Sequence, residues 1–353
     1  MGAESPRPTR QPKWSISMSD RRELTEVPAI DLGPSFAAGE AGRDQVAAEI
    51  RRACEDIGFF SIVGHRVPDD IVEALRREAR AYFALPPEEK LKTPQPPEKI
   101  SRGYSHVGSR GLAFSLGKET PPDLQESFAM GPIKSAPPAI AGTSAERLFF
   151  LPNSWPAGRP QFRAAFEAYY SEMDRIAVHL LRLFARALNL DDDFFDSKVN
   201  EATSTMRAIY YPPQDRAPEP GQLRAGEHTD YDTLTILKGD DVPGGLQVKL
   251  RHGGWVDVHP RGDAFVCNIG DLMMRWTNDE WVSNLHRVAN PPPEAMMLGR
   301  LSIPFFHNPN VDAEIRCITS FYDRGVGEKY PPVKFGDFYL SKHMKAQNMA
   351  KTA

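Results

Sequence analysis

In the stretch GEHTDYDTLTIL, residues 226–237, His228 and Asp230 stand two positions apart at the mouth of an alternating apolar run. Side chains at i and i+2 of a strand share a face, so both point into whatever that strand packs against. A lone carboxylate buried there would be expensive, so it needs partners. Downstream, WVSNLHRVAN places His286 on another strand. Two histidines and one carboxylate are the donor set that holds non-haem Fe(II) while leaving three coordination positions free. On ligand type alone zinc is the alternative, because a three-ligand site of this kind also activates water.

The strands around this trio narrow the chemistry. In GRLSIPFF, Arg300 and Ser302 again share a face. A buried arginine wants a carboxylate, and its planar fork beside a hydroxyl suits the distal end of a dicarboxylate. A 2-oxo acid held there by its tail could chelate iron with its head. Tyr211, in AIYYPP, adds a phenolic donor on a neighbouring strand. These residues favour iron with 2-oxoglutarate over zinc.

The bulk properties fit a small-molecule enzyme. The chain has 353 residues, enough for a sizeable core, and a formal net charge of -4 with acids and bases interspersed. No basic face suggests nucleic acid, and no run approaches the roughly 20 apolar residues of a membrane span. Cys54, Cys267 and Cys317 form no close pair, as expected of reduced thiols. With no apolar signal-peptide core at the N-terminus, the expected setting is cytoplasmic, as a monomer or weak homo-oligomer.

Elements that must position these residues follow from periodicity. Residues 1–26 are polar and proline-punctuated, and read as a flexible arm. The part from 27 to 160 is mixed: VPAIDL and FFSIVGH read as strands, and apolar residues at helical spacing run through Val46, Ile50 and Cys54 and again from Ile71 to Tyr82. LPPEEK stops that second helix, and the proline- and glycine-rich stretch 86–160 reads as irregular loops over the active site. From 161 to 340, Phe162, Phe166, Tyr169, Met173, Ile176, Leu180 and Phe184 mark a long helix, followed by strands in TMRAIYYPP, TLTILKG, GGLQVKL, WVDVHP, AFVCNIGDLMMRWTN, WVSNLHRVAN and RLSIPFFHNP. Such a series implies an antiparallel double sheet or barrel. Residues 341–353 read as a tail, and 27–340 as one structural unit.

The ordered series VPAIDL, GFFSIVGHRVP, DLQESFAMG, YYPP, HTDYDTLTIL, GGLQV, NIGDLMMRWTND, SNLHRV, RLSIPFF and YPPVKFGDFYL resembles the isopenicillin N synthase-like family of 2-oxoglutarate and Fe(II)-dependent dioxygenases over about residues 27–340. The resemblance implies a mainly β fold with bracing helices, a double-stranded β-helix (jelly roll) core and a helical N-terminal part. It implies Fe(II) on His228, Asp230 and His286, and the 2-oxoglutarate C5 carboxylate on Arg300 and Ser302 with Tyr211 assisting. O2 completes the cosubstrates, and succinate and CO2 leave as a small molecule is hydroxylated, desaturated or cyclised, as in secondary metabolism. The family often has Asn two positions before the tyrosine; here Ile209 stands there, so one polar contact to the cosubstrate is missing. Alignment with relatives also puts Tyr231 and Phe306 on the pocket wall, with Ser127 as a small gap.

Two further readings stay open: an iron oxidase of the isopenicillin N synthase type that needs no 2-oxoglutarate, and a non-catalytic metal-containing sensing or binding protein. Arg207 shares a strand face with Ile209 and Tyr211, so it either pairs with Glu126 or receives an anionic or polar group of the substrate. The remaining histidines, His65, His106, His179, His252, His259, His307 and His343, read as structural, Asp263 and Asp271 as turn residues, and Cys267 as core.

Overall fold

RLSIPFFH builds the strand on which the architecture turns, its near-continuous apolar run matching burial of both faces. A computed structural model describes residues 26–342, apart from 38, 97–99, 110, 119, 252, 260–261 and 323–326. The expected arm up to residue 25, His252, His343 and the tail beyond 342 lie outside the described residues.

The N-terminal part supplies β1 (Ala29–Asp31), β2 (Phe59–Val63), β3 (Gly103–Ser105) and β4 (Glu126–Met130). Then come β5 (Thr205–Tyr211), β6 (Ala225–His228), β7 (Leu234–Gly239), β8 (Leu246–Lys249), β9 (Trp255–Asp257) and β10 (Phe265–Ile269). β11 (His286–Val288), β12 (Arg300–His307), β13 (Glu314–Ile315) and β14 (Val333–Lys334) follow. The major sheet has the order β1, β2, β10, β7, β12, β5, β4, β3; the minor one runs β6, β11, β8, β9, and β13 pairs with β14. Only β1 and β2 pair in parallel within the major sheet. The stretch 86–160 is thus not loop alone: its β3 and β4 extend the major sheet beside β5, with Ala129 opposite Arg207. That pairing joins residues far apart in sequence, which local periodicity cannot register.

The long helix, Pro160–Ala187, starts with proline at its first position and carries the expected stripe, all of it buried. Phe162 and Phe166 lie 4.4 Å apart centre to centre, and Tyr170 meets Phe305 of β12 edge-on at 5.1 Å. Leu301, Ile303 and Phe305 therefore face this helix, while Ser302, Pro304 and Phe306 face the space between the sheets. Helices Gly39–Asp56 and Asp69–Phe83 pack against the long helix.

Two local expectations differ. LPPEEK ends one helix but begins another turn, Pro87–Lys90, with Pro87 at its start and Glu88 and Glu89 favourably placed near the N-terminus. AFVCNIGDLMMRWTN is a strand only as far as Ile269; Asp271–Trp276 is helical. Gly270 marks the break, because a Cβ there would lie 2.3 Å from the Asp232 carbonyl oxygen. Among the described residues, no helix is long and apolar enough to cross a membrane.

Gly58, between the Gly39–Asp56 helix and β2, has φ +72°, and a Cβ there would lie 1.8 Å from the Val282 carbonyl oxygen. Gly58→Ala is expected to destabilise the fold by at least about 1–3 kcal/mol, the cost of a strained backbone before the clash is counted. Denaturant titration checks this; an unchanged midpoint would refute the close approach.

Candidate active site

The trio assembles where the two sheets meet. β6 ends on His228, and the chain crosses through Asp230 to enter β7 in the other sheet. His228 and Asp230 thus straddle a crossing rather than open one strand. His286 on β11 lies directly opposite His228, ring centres 4.2 Å apart.

Each imidazole is turned by its own chain. His228 Nδ1 lies 2.7 Å from the Gly226 carbonyl oxygen, and His286 Nδ1 3.1 Å from that of Asn284. Donation of Nδ1–H to those carbonyls leaves Nε2 as the free lone pair. The two Nε2 atoms stand 3.9 Å and 3.7 Å from Asp230 Oδ1, and one ligand atom from each residue falls within 4.8 Å of the others. Asp230 Oδ2 faces away and accepts from Thr235 Oγ1 at 2.7 Å and Asn268 Nδ2 at 2.8 Å. The Asp271 N–H donates to the Asp230 carbonyl at 2.8 Å, so Asp271 opens a helix that braces the site rather than sitting in a simple turn.

Charge follows geometry. Burial, reinforced by His286, holds the His228 pKa down to about 4, so at neutral pH its ring is uncharged and able to ligate. Burial disfavours the Asp230 carboxylate, but His286, His228, Asn268 and Thr235 outweigh it and hold the pKa below its usual value. Asp232 goes the other way, raised by burial and then by the neighbouring Asp230 charge. Thr235 Oγ1 stands 2.7 Å from Asp230 Oδ2 and 2.8 Å from Asp232 Oδ2, yet has one proton to give. Thr235 Oγ1 thus stands between the two carboxyl groups, one with its pKa lowered and the other with its pKa raised.

The trio opens on a cavity of about 270 Å³ lined by both sheets. Tyr211, Ile209 and Ser302 form one end, with Ser302 opposite Ile209 and Arg300 opposite Tyr211. Arg300 is 1% exposed, its Cζ lies 5.4 Å from the Tyr211 ring centre, and its Nε and Nη1 are buried without partners. Burial pushes the Tyr211 pKa up to about 12, so the phenol keeps its proton. The other end holds Arg207, Ser101, Thr205, Asn308, Phe306 and Tyr339, with Tyr231 also on the wall. Arg207 Nη2 donates to Ser101 Oγ at 2.5 Å, its Cζ lies 5.9 Å from the Phe306 ring centre, and its Nε is buried without a partner.

The structure does not pair Arg207 with Glu126. Strand register puts Glu126 opposite Tyr210, on the other face, where Lys90 Nζ and Tyr104 Oη reach it at 2.7 Å and 2.5 Å. Ser127 lies opposite Ile209 and is buried, but it is not on the cavity wall. His307 faces away from the cavity, with Nδ1 2.9 Å from Thr233 Oγ1, and His179 lies 2.8 Å from Ser35 Oγ and stacks on Phe36. Sequence reasoning missed Thr235, Asn268 and Asp232 behind the trio and Ser101, Thr205 and Asn308 in the cavity. Asn268 had left a signal, a lone amide in the apolar strand FVCNI.

Residues 27–158 match the family described as non-haem dioxygenase in morphine synthesis N-terminal, and residues 202–309 match the 2OG-Fe(II) oxygenase superfamily. The protein is 33% identical to a 2-oxoglutarate-Fe(II) type oxidoreductase of Emericella nidulans, over 93% of this chain and 92% of that one. The chain belongs to the 2OG-Fe(II) oxygenase superfamily. Validamycin A dioxygenase of Streptomyces hygroscopicus subsp. limoneus is 32% identical to this oxygenase, over 90% of this chain and 86% of that one. A full-length Neurospora crassa protein, solved in complex with alpha-KG and thymine, superposes with a TM-score of 0.78 at 28% identity, covering 94% of this chain and 99% of that chain.

The double-stranded β-helix core, the enzyme class and the use of Fe(II), 2-oxoglutarate and O2 on a small molecule therefore hold for this oxygenase. The zinc, cosubstrate-free and non-catalytic readings give way. The donor set fits the metal: two Nε2 atoms, each on a ring whose Nδ1 faces a backbone carbonyl, and one carboxylate oxygen converge on one side of a cavity. The orphaned guanidinium nitrogens of Arg300 fit the cosubstrate's tail.

His228→Ala and Asp230→Ala are each expected to lose tight Fe(II) binding and succinate production while the protein stays folded. Metal content after anaerobic loading, with circular dichroism as control, checks this; succinate formation retained in either variant would sink the assignment.

Proposed function

We propose that this oxygenase holds Fe(II) on His228, Asp230 and His286, and the distal carboxylate of 2-oxoglutarate on Arg300, Ser302 and Tyr211. With that metal and cosubstrate bound, O2 supplies the oxidising power, and the cosubstrate leaves as succinate and CO2. The chain's own part is orientation and charge. Asn268 and Thr235 fix which oxygen of Asp230 faces the metal side, and carbonyl acceptors fix the two ring tautomers. The enclosing sheets keep water from the reacting atoms.

The substrate reading rests on Arg207. Its side chain is half-buried, lines the cavity, lacks a carboxylate in ion-pairing range among the described residues and keeps a buried Nε free of partners. A cation left in that state suits a ligand with an anionic or strongly polar oxygen. Phe306 and Tyr231 offer flat apolar walls beside it. The substrate is thus a small molecule with a carboxylate, phenolate or amide oxygen at one end and an apolar carbon body that reaches the metal.

The lining residues come from 101–125, 205–308 and Tyr339 alike, which supports treating 27–340 as one unit with a site complete in one chain, as a monomer or weak homo-oligomer. Three buried, free cysteines support a reducing cytoplasmic setting.

Screening small carboxylic acids against their methyl esters for stimulation of succinate release tests the reading; acids, and amides with a free carbonyl, are expected to stimulate. With the best of them, Arg207→Met is expected to lower the ratio of stimulated to unstimulated release about ten- to a thousandfold, the span of roughly 1.4–4 kcal/mol for one charge-assisted contact. A proportional loss of both rates would make Arg207 structural, and no loss would remove it from the substrate end.

A further inference from the structure

Behind the cosubstrate end lies a second arginine. Arg224, four positions before His228, is 0% exposed. Its Nη1 donates to the Gly244 carbonyl and its Nη2 to that of Leu298, each at 2.9 Å, while Nε is buried without a partner. Its Cζ lies 5.9 Å from the Tyr211 ring centre, against 5.4 Å for Arg300. Two guanidinium groups thus flank one buried phenol.

Neither cation has a carboxylate within ion-pairing range among the described residues. Asp240, the acid whose field acts most on Arg300, is already committed to Arg76 at 2.8 Å, Arg80 at 2.5 Å and the Leu301 N–H at 2.7 Å. Backbone carbonyls engage both terminal nitrogens of Arg224 but leave Nε unpartnered and do not offset its net charge. Two like charges buried together repel and are costly without a counter-ion. The arrangement is therefore incomplete until an anion arrives, and Arg300 has two free nitrogens to receive one. The two carbonyls Arg224 grips also flank Arg300: a Cβ on Gly245, next to Gly244, would lie 3.7 Å from Arg300 Nε, and Leu298 leads into β12.

We propose that Arg224 is a second cationic determinant of the distal-carboxylate subsite, a positioning residue that acts beside Arg300 to make this oxygenase select dicarboxylic over monocarboxylic 2-oxo acids. The inference rests on Arg300, Ser302 and Tyr211 holding the 2-oxoglutarate tail. Arg224 does not touch that tail; it adds positive potential at the tail's oxygens and fixes the backbone on either side of Arg300. Its field acts on a ligand carrying the distal charge and is lost on one of the same chain length without it.

The test is anaerobic calorimetry of the Fe(II)-loaded protein with 2-oxoglutarate and with 2-oxovalerate, which keeps the keto-acid head and chain length but lacks the distal carboxylate. Arg224→Gln and Arg224→Lys both give up the two-carbonyl grip, and only Lys keeps the charge. Arg224→Gln is expected to weaken 2-oxoglutarate binding about tenfold or more, the scale of one buried charge interaction at an effective dielectric of about 20. Its Kd for 2-oxovalerate is expected to stay within about twofold, while Arg224→Lys keeps most of the wild-type selectivity. Equal weakening of both ligands, Gln and Lys behaving alike, or no change in selectivity would overturn the proposal. Wild-type protein that binds 2-oxovalerate as tightly as 2-oxoglutarate would instead overturn the tail subsite itself, and the proposal with it.

Discussion

A carboxylate removed from water stays ionised only where the protein supplies opposing charge and donors of its own, and Asp230 sets that demand for this fold. Each neighbour answers part of it. Thr235 on β7 and Asn268 on β10 satisfy Oδ2, while His228 on β6 and His286 on β11 stand before Oδ1. Those four strands belong to two different sheets, so the charge can be satisfied only when the sheets have closed on one another. The metal position and the closure of the core are in this sense one constraint.

Asp232 shows how closely the surroundings are drawn. It lies two residues on from Asp230, is also buried, and in ionised form would repel its neighbour. Burial and the adjacent charge raise its pKa, and Thr235 Oγ1 stands 2.8 Å from its Oδ2. One hydroxyl thus bridges two carboxyl groups whose pKa values are shifted in opposite directions, and the one that favours the charge is the one that faces the histidines.

The pair Arg300 and Ser302 was legible in the sequence because the strand period of two is local, whereas His228, Asp230 and His286 were found by residue type, since His228 and Asp230 straddle a crossing instead of sharing a strand. The long helix was legible for the same reason at its own period. What stayed hidden depends on register between distant strands. Nothing near Glu126 says that it lies opposite Tyr210 rather than Arg207, or that Lys90 will pair with it. Nothing in the proline-rich stretch says that Gly103–Ser105 and Glu126–Met130 complete the major sheet. In AFVCNIGDLMMRWTN the apolar run continued through a change of period, and only the close approach at Gly270 marked the switch from strand to helix.

The same register explains the division of labour within the cavity. Ile209, opposite Ser302, presents hydrocarbon where a polar side chain would otherwise meet the cosubstrate. That wall can exclude water but cannot hydrogen-bond, so in the proposed arrangement the grip on an oxo acid would fall on the metal at one end and on positive charge at the other. Arg300 provides free donors, Tyr211 a phenol that keeps its proton, and Arg224 a second charge behind both. At the opposite end Arg207 repeats the pattern of a cation without an acid. Positive charge without an acid partner, lining the cavity at one end and lying beside it at the other, is complementary to two anionic ligands laid end to end, with the histidines and Asp230 between them.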